Sequence, residues 1–214
     1  MKKFVSFLFF YLVIASGFAQ QLTVANPRCE YKQNPVGVDK MNPRLSWELQ
    51  SKQQNVLQTA YRVLVADNPS LLQSNTGNIW DSKKITSAAS IQVEYKGRPL
   101  RPAKKYFWKV MVWDNKGNIS SWSDNASLQM GLLSAKDWNG AKWIGYEEIN
   151  DTAIIVPHIH GNGKKSWGAR RNILPLVRKN LSINKEIKNA TAFICGLGHF
   201  EMSVNGEKIG DHRF

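Results

Sequence analysis

The sequence predicts an all-β sandwich of the immunoglobulin type. Short stretches of alternating apolar and polar residues recur between residues 22 and 134, and prolines and glycines separate them as turns separate strands. No segment keeps the 3.6-residue spacing of a sustained helix. Directly before the most apolar stretch, Leu100 and Pro102 precede Tyr106 at the spacing of a tyrosine corner. The hydroxyl of such a tyrosine bonds to preceding backbone and fixes the crossover between the two sheets.

Six strands are expected in this first domain, which we assign to residues 20–134. They are a strand beginning at Leu22–Val24, then Arg44–Leu49, Thr59–Ala66, Ser90–Tyr95, Lys105–Trp113 and Ala126–Leu132. The two-residue period of the fifth strand predicts two faces. The inward face contains Tyr106, Trp108, Val110 and Val112, and the outward face contains Phe107, Lys109, Met111 and Trp113. Trp47 is the expected core partner, and the whole set resembles a fibronectin type III module.

The stretch that follows, residues 135–149, is interpreted as a linker. Its glycines and the tryptophans Trp138 and Trp143 predict a segment packed between two domains and not a free tether. Residues 150–175 are polar and irregular and contain several prolines and glycines, so we expect a long surface loop there.

Residues 150–214 are expected to form part of a second β-sandwich, which is incomplete. Strand patterns return at Leu181–Ile187 and Ala190–Cys195. Asn205 and Gly206 lie between alternating residues, which is the strongest short signal for a β-hairpin. So few strands would leave an apolar face uncovered and a sheet edge unpaired. We therefore expect the chain to be a fragment of a longer protein.

The first 19 residues have the organisation of a signal peptide. The basic residues Lys2 and Lys3 precede the apolar run Phe4–Ile14, and small residues lead to a cleavage site after Ala19. A membrane anchor is the alternative, but the run is shorter than the roughly 18–20 apolar residues that span a bilayer. The expected location is periplasmic or secreted, without membrane attachment after cleavage.

The high positive charge of the chain is typical of nucleic-acid-binding proteins, but the distribution of its basic residues is not. The sequence has 29 basic and 16 acidic residues, with a net charge of +13. These bases are spread singly and in pairs through strand patterns, with no basic helix and no nucleic-acid-binding motif. We expect no nucleic-acid partner.

The acidic residues show no convincing pair of the kind that catalyses hydrolysis. Asp81 and Asp114 follow tryptophans at strand ends, where aspartate ordinarily caps turns. Glu147-Glu148 is expected to be solvated beside the linker. We predict no catalytic residue in this chain.

Metal and cofactor chemistry is likewise not expected. His158 and His160 could supply half of a zinc site, but a solvated loop is the favoured interpretation because persuasive further ligands are lacking. Cys29 and Cys195 could form a disulfide in an oxidising compartment, although the apolar run around Cys195 favours a buried thiol. No glycine-rich phosphate loop is present in the sequence, and we predict no cofactor.

The eight tryptophans raise the question of carbohydrate contact. Trp47 and Trp108 are expected in the core. Trp113 and Trp122 take outer or edge positions by pattern, so they are our candidate glycan contacts, since an exposed indole can stack on the apolar face of a sugar.

An ordered series of blocks resembles bacterial α-L-rhamnosidases of the Bacteroides type. The blocks are Asn42–Trp47, Ala60–Ala66, Trp80–Ser82, Tyr106–Gly117, Ser121–Ser123, Met130–Leu133, Asp137–Trp138, Lys142–Gly145 and Cys195–Gly210. The resemblance implies a fibronectin-like domain and a β-sandwich that precede an (α/α)₆ barrel and a C-terminal β domain. In that family the barrel performs inverting hydrolysis of terminal rhamnosides. No position of this chain matches the catalytic acids of the family.

The primary hypothesis is that this chain is the non-catalytic N-terminal fragment of an exported α-L-rhamnosidase. Its expected partners are the missing catalytic barrel of the same polypeptide and a rhamnose-containing glycan. The alternative is a free-standing β-sandwich module that binds polysaccharide or an envelope protein.

Overall fold

The computed structural model describes residues 22–145 and 176–210. The chain divides into two compact units, Met1–Asp137 and Trp138–Phe214. The signal-peptide prediction for residues 1–19 lies outside the described residues, as do the predictions for the loop 150–175, for the pair His158 and His160, and for Glu147-Glu148.

The first unit is a sandwich of two sheets. Its strands are β1 (Thr23–Cys29), β2 (Val36–Val38), β3 (Arg44–Gln50), β4 (Gln58–Ala66), β5 (Trp80–Asp81), β6 (Ile85–Thr86), β7 (Val93–Glu94), β8 (Lys105–Asp114) and β9 (Ala126–Met130). One sheet has the order β1-β3-β7, and the other has the order β2-β9-β8-β4-β5, with β6 also paired to β4. All pairs are antiparallel except β2 with β9. A short helix α1 (Pro69–Gln73) follows β4, and a 3₁₀ turn (Ala135–Trp138) contains the point at which the first unit ends.

The core lies between the two sheets. The four residues predicted for the inward face of β8 are buried in it: Tyr106, Trp108, Val110 and Val112. Trp47 of β3 joins the same cluster, with 2% of its surface exposed. Its Nε1 donates to Oε1 of Gln58 at 2.9 Å, and its ring meets Tyr61 edge-on at 5.3 Å. The predicted core partnership is confirmed, and the buried indole N–H is satisfied.

The tyrosine corner is also confirmed. Tyr106 is buried, and its hydroxyl accepts the backbone N–H of Arg101 at 2.9 Å. The bond ties the start of β8 to the connection that crosses between the sheets.

Some elements differ from the sequence prediction. Ser90–Tyr95 contributes only the two-residue strand β7, and the short strands β2, β5 and β6 were not predicted. Strands of two or three residues carry no readable alternation, and their pairing is decided by the neighbouring long strand. Helix α1 was also missed, because a single turn shows no helical period; Asn68 caps its N-terminus and Leu72 is buried.

The second unit contains one hairpin among its described residues. Strands β10 (Ser203–Val204) and β11 (Glu207–Lys208) pair around Asn205 and Gly206, whose φ angles of 53° and 87° have the signs of a type I′ turn. This hairpin was predicted and is confirmed.

The strands predicted at Leu181–Ile187 and Ala190–Cys195 are wrong, since the structure has no strand there. A strand needs a neighbour to bond to, and no described strand pairs with either segment. Among residues 22–145 and 176–210, the helices lack the length and the apolar composition of a membrane span.

Candidate functional site

The two candidate tryptophans lie on the outer face of the six-stranded sheet, and both are half-buried. Trp113 lies in β8 opposite Ala60 of β4. Trp122 lies in the segment between β8 and β9, where its ring is flanked by the cations of Arg62 and Lys109. The predicted outward position is therefore confirmed for both, whereas contact with a glycan stays a prediction.

Two serines fix the segment that carries Trp122. The hydroxyls of Ser120 and Ser123 accept the N–H groups of Val112 and Val110 at 3.0 and 3.1 Å. In return, the backbone N–H groups of these serines donate to the carbonyls of Val112 and Val110. The segment thus satisfies the backbone hydrogen-bonding groups of Val110 and Val112 without being a regular strand. Trp122 lies between the two serines and is directed onto the outer face of the sheet.

The ring of Trp122 is occupied by protein contacts. The Arg62 guanidinium lies 5.8 Å from the ring centroid and the Lys109 ammonium lies 4.7 Å from it, within cation–π range. Trp122 also packs against the small cluster formed by Leu64, Ala66 and Leu72. These contacts support a structural role for this indole, which joins α1 to the sheet.

Lys109 is the feature of this face that sequence reasoning missed. It is only 6% exposed, and its ammonium donates to the Leu72 carbonyl and to Oδ1 of Asn75. Burial lowers the pKa of this lysine. The ammonium satisfies a carbonyl at the C-terminal end of α1. The only available signal was a lysine at an alternating position inside an otherwise apolar strand.

Asp81 is an ion-pair residue. Its two carboxylate oxygens accept from Nε and Nη2 of Arg62 at 2.9 and 2.8 Å, and Lys83 contributes a backbone N–H and its ammonium. These bonds, that from Arg62 above all, hold the pKa of Asp81 well below its usual range. A carboxyl that is ionised this firmly cannot act as a general acid near neutral pH.

Asp114 has the capping role that was predicted. Its carboxylate accepts the backbone N–H groups of Lys116 and Asn118 at 2.9 and 2.7 Å, and the Asn118 amide at 2.8 Å. Although burial acts to raise the pKa of Asp114, these hydrogen bonds lower it. The residue stabilises the turn after β8.

Trp113 has fewer contacts with other side chains than Trp122. It belongs to neither apolar cluster, and the charged group near its ring is the ammonium of Lys84, 4.8 Å from the centroid. Its backbone forms an isolated bridge with Ile119, an exposed residue. Paired residues share a sheet face, so an exposed apolar side chain lies beside this indole.

The two cysteines differ in burial. Both thiols are free. Cys29 is buried, and desolvation, aided by the charge of Glu30, raises its pKa to about 12. Cys195 is exposed, so the expectation of a buried thiol there was wrong, because the strand expected around it does not form. Within residues 22–145 and 176–210, no three histidine, cysteine or acidic side chains cluster as a metal site would require.

Comparison with protein families assigns both parts of the chain. Residues 24–134 match the model described as the Rha78A-like, N-terminal immunoglobulin domain. Residues 185–214 match the model of the α-L-rhamnosidase N-terminal domain.

Individual relatives agree with the family models. An α-L-rhamnosidase of Formosa agariphila is 35% identical over 183 residues, which are 85% of this chain and 19% of the relative. One of Streptomyces avermitilis is 35% identical over 197 residues, covering 88% of this chain and 18% of the relative. The chain thus spans about a fifth of the length of the relatives it matches.

Solved structures extend the likeness to the fold. The Streptomyces avermitilis α-L-rhamnosidase complexed with L-rhamnose superposes with a TM-score of 0.55 and 44% identity, over 58% of this chain and 12% of that one. The α-L-rhamnosidase of Dictyoglumus thermophilum gives a TM-score of 0.57 and 39% identity, over 59% of this chain and 14% of that one.

Proposed function

Because this chain belongs to the family of Rha78A-like N-terminal immunoglobulin domains, we propose that it serves as the non-catalytic N-terminal part of an exported α-L-rhamnosidase. The observation that carries the proposal is the pair of N-terminal family matches, at 24–134 and 185–214, in a chain about a fifth as long as its relatives. The parent enzyme would hydrolyse terminal α-L-rhamnosides in glycan degradation.

The ionisation of the described carboxyls supports a non-catalytic role. Inverting hydrolysis needs two carboxyl groups about 6.5–9.5 Å apart, and the general acid among them needs a raised pKa. The described carboxyls whose pKa is shifted all move downward, and they are Glu30, Asp67, Asp81 and Asp114. Each is bonded to a cation or to turn N–H groups, which stabilise the charged form.

The role we assign to the first unit is to brace the catalytic barrel of the same polypeptide. A sandwich with a continuous buried core offers a rigid surface for a neighbouring domain, and the ion pairs Arg44–Glu30, Arg62–Asp81 and Lys104–Asp67 link its strands and loops internally.

A rhamnosidase assay tests whether the activity requires residues beyond this chain. The purified chain is incubated with an aryl α-L-rhamnoside, beside a polypeptide made by continuing the reading frame past Phe214. We expect no turnover from the chain and turnover from the extended polypeptide. Turnover by the chain that is lost on substituting one of its own residues contradicts the proposal. A stop codon directly after Phe214 favours the free-standing binding module instead.

Export is the second part of the proposal, and the pattern of Lys2, Lys3, Phe4–Ile14 and Ala19 supports it. Mass spectrometry of the mature chain from fractionated cells should find a new N-terminus at residue 20 in the periplasm or medium. An intact Met1 in the cytoplasm contradicts it.

A further inference from the structure

A groove crosses the outer face of the three-stranded sheet, on the opposite side of the sandwich from Trp113. Its volume is about 490 Å³, within the range of small-molecule sites. Ser46 and Glu48 of β3 form its floor, with Arg28 of β1 on one side, Ile91 on the other and Tyr31 also lining it. Tyr31 and Ile91 are exposed apolar groups that no part of the described core covers.

Tyr31 lies in a strained turn. Cys29 and Lys32 exchange two backbone hydrogen bonds of 2.9 and 3.0 Å around Glu30 and Tyr31, whose φ angles are 47° and 65°. Both central residues of a type I′ turn need positive φ, a demand usually met by asparagine and glycine. A bulky residue in this region is uncommon, and such strain concentrates at functional positions.

Two contacts hold this aromatic ring, and an ion pair with Glu30 positions the arginine that makes one of them. The carboxylate of Glu30 accepts from the backbone N–H, Nε and Nη2 of Arg44, at 2.7, 3.1 and 2.6 Å. The Arg44 guanidinium in turn lies over the Tyr31 ring, 5.4 Å from its centroid. Nε2 of Gln92 donates to the tyrosine hydroxyl. The ring is held in place and is still 56% exposed, so it offers a preorganised surface to a ligand.

The polar groups beside the ring are mixed donors and acceptors whose charges cancel. Arg28 and Glu48 form an ion pair of 3.4 Å, and Nδ2 of Asn26 donates to the same carboxylate at 2.6 Å. Side chains of this pair are about half exposed, so they can still reach a ligand. An anionic ligand would meet Glu48, and a cationic one would meet Arg28.

The backbone of β3 is not open to an added peptide strand. It pairs with β1 on one side, and on the other side the Trp47 N–H donates to the Ser90 carbonyl at 2.9 Å. A ligand in the groove therefore has to be recognised through side chains and not through strand addition.

We propose that this groove binds a neutral oligosaccharide. The apolar face of one sugar ring stacks on Tyr31, and its hydroxyl groups exchange hydrogen bonds with Asn26, Arg28 and Glu48, which offer both donors and acceptors. This inference does not depend on the proposed role in a rhamnosidase, because it rests on the first unit alone.

Calorimetric titration of the purified chain tests the proposal. The probes are cellotriose, maltotriose and a neutral rhamnose-terminated trisaccharide, with a galacturonic acid trisaccharide as the acidic comparison. Each is titrated up to about 10 mM, so that a dissociation constant of about 1 mM, which corresponds to about −4 kcal/mol, is still measured. We expect at least one neutral probe to bind and the acidic one to bind more weakly or not at all. Absence of binding by every neutral probe, or preference for the acidic one, overturns the proposal.

Substitutions locate the site. Tyr31→Ala should weaken binding about tenfold, whereas Tyr31→Phe, which keeps the ring, should stay within about threefold. Unchanged affinity for Tyr31→Ala, or loss on Trp113→Ala instead, assigns binding elsewhere and overturns the proposal. If Tyr31→Ala does not fold, Glu48→Gln replaces it, and we expect the same loss of about tenfold in affinity. Unchanged affinity for Glu48→Gln would then overturn the proposal. The aryl rhamnoside assay is not affected by these outcomes, so the two proposals fail separately.

Discussion

The two units use similar strand patterns with different results. In the first, the alternating segments face each other across a shared core that buries Trp47 and Trp108. In the second, the apolar side chains of comparable patterns remain exposed, among them Leu181, Ile183 and Ile187. Alternation therefore marks a segment that is able to form a strand, while an opposing sheet decides whether the strand forms.

The two tight turns give the same lesson at smaller scale. Asn205-Gly206 meets the positive φ requirement through local chemistry, so its hairpin was predicted. Glu30 and Tyr31 adopt the same φ signs against their preference, because Arg44 binds Glu30 and strand pairing holds the flanks. A turn stabilised by distant contacts cannot be recognised from its own residues.

Separating the units is expected to have the largest effect. A chain of residues 20–134 should melt cooperatively, because it contains the complete two-sheet core. A chain of residues 138–214 should show no cooperative transition, because none of its described residues is fully buried. Both are measured by circular dichroism during heating; a disordered 20–134 beside a cooperative 138–214 would reverse the comparison.

Truncating a core tryptophan comes next. Trp47→Ala should cost about 3–5 kcal/mol of unfolding free energy, since it removes a buried ring and leaves the Gln58 amide oxygen without its donor. Leu57→Ala, in the same unit, is the control; that side chain is 65% exposed, and we expect a change within about 0.5 kcal/mol. Urea denaturation measures both variants, and equal effects would show that the loss does not depend on burial.

The tyrosine corner should contribute less. Tyr106→Phe removes the acceptor for the Arg101 N–H and keeps the ring, so we expect a loss of about 0.5–1.5 kcal/mol. In a domain of about 110 residues this lowers the melting temperature by roughly 4 °C per kcal/mol. An unchanged melting temperature means that the bond does not stabilise the crossover.

The hairpin of the second unit should be sensitive to a single methyl group. Gly206→Ala places a side chain at a φ of 87°, where the space is open, so any cost comes from the backbone and amounts to about 1 kcal/mol. Cross-strand nuclear Overhauser contacts between Ser203 and Lys208 should weaken. Gly198→Ala, also in open space and without a positive φ, should leave them unchanged.

The smallest expected effect is the pH dependence of the Glu30 turn. The bonds from Arg44 lower the pKa of Glu30 below its usual value, so the ionised form stabilises the folded state. That stabilisation is present above the unfolded pKa of about 4.3 and is lost as the pH falls through the lower folded pKa. Glu30→Gln should therefore melt below the parent chain at pH 7, and the gap should close in acid. If the difference in melting temperature does not change with pH, the charge of Glu30 is not its cause.

The long strands, the two faces of β8, the tyrosine corner and the Asn205-Gly206 hairpin could all be predicted from the sequence. Each is encoded locally, by a two-residue period, by a fixed spacing or by residues that tolerate positive φ. The outward positions of Trp113 and Trp122 follow from the same periodicity and from the position of Trp122 beside the strand.

Other features could be seen only in the folded chain: the short strands β2, β5 and β6, the burial of Lys109, the cations around Trp122 and the turn that presents Tyr31. The exposure of Cys195 is a further example. All of these depend on a partner far away in the chain, such as Leu72 for Lys109, Arg44 for Glu30 and Arg62 for Trp122. Local pattern cannot encode them, because a side chain's environment is set by whatever the fold brings against it.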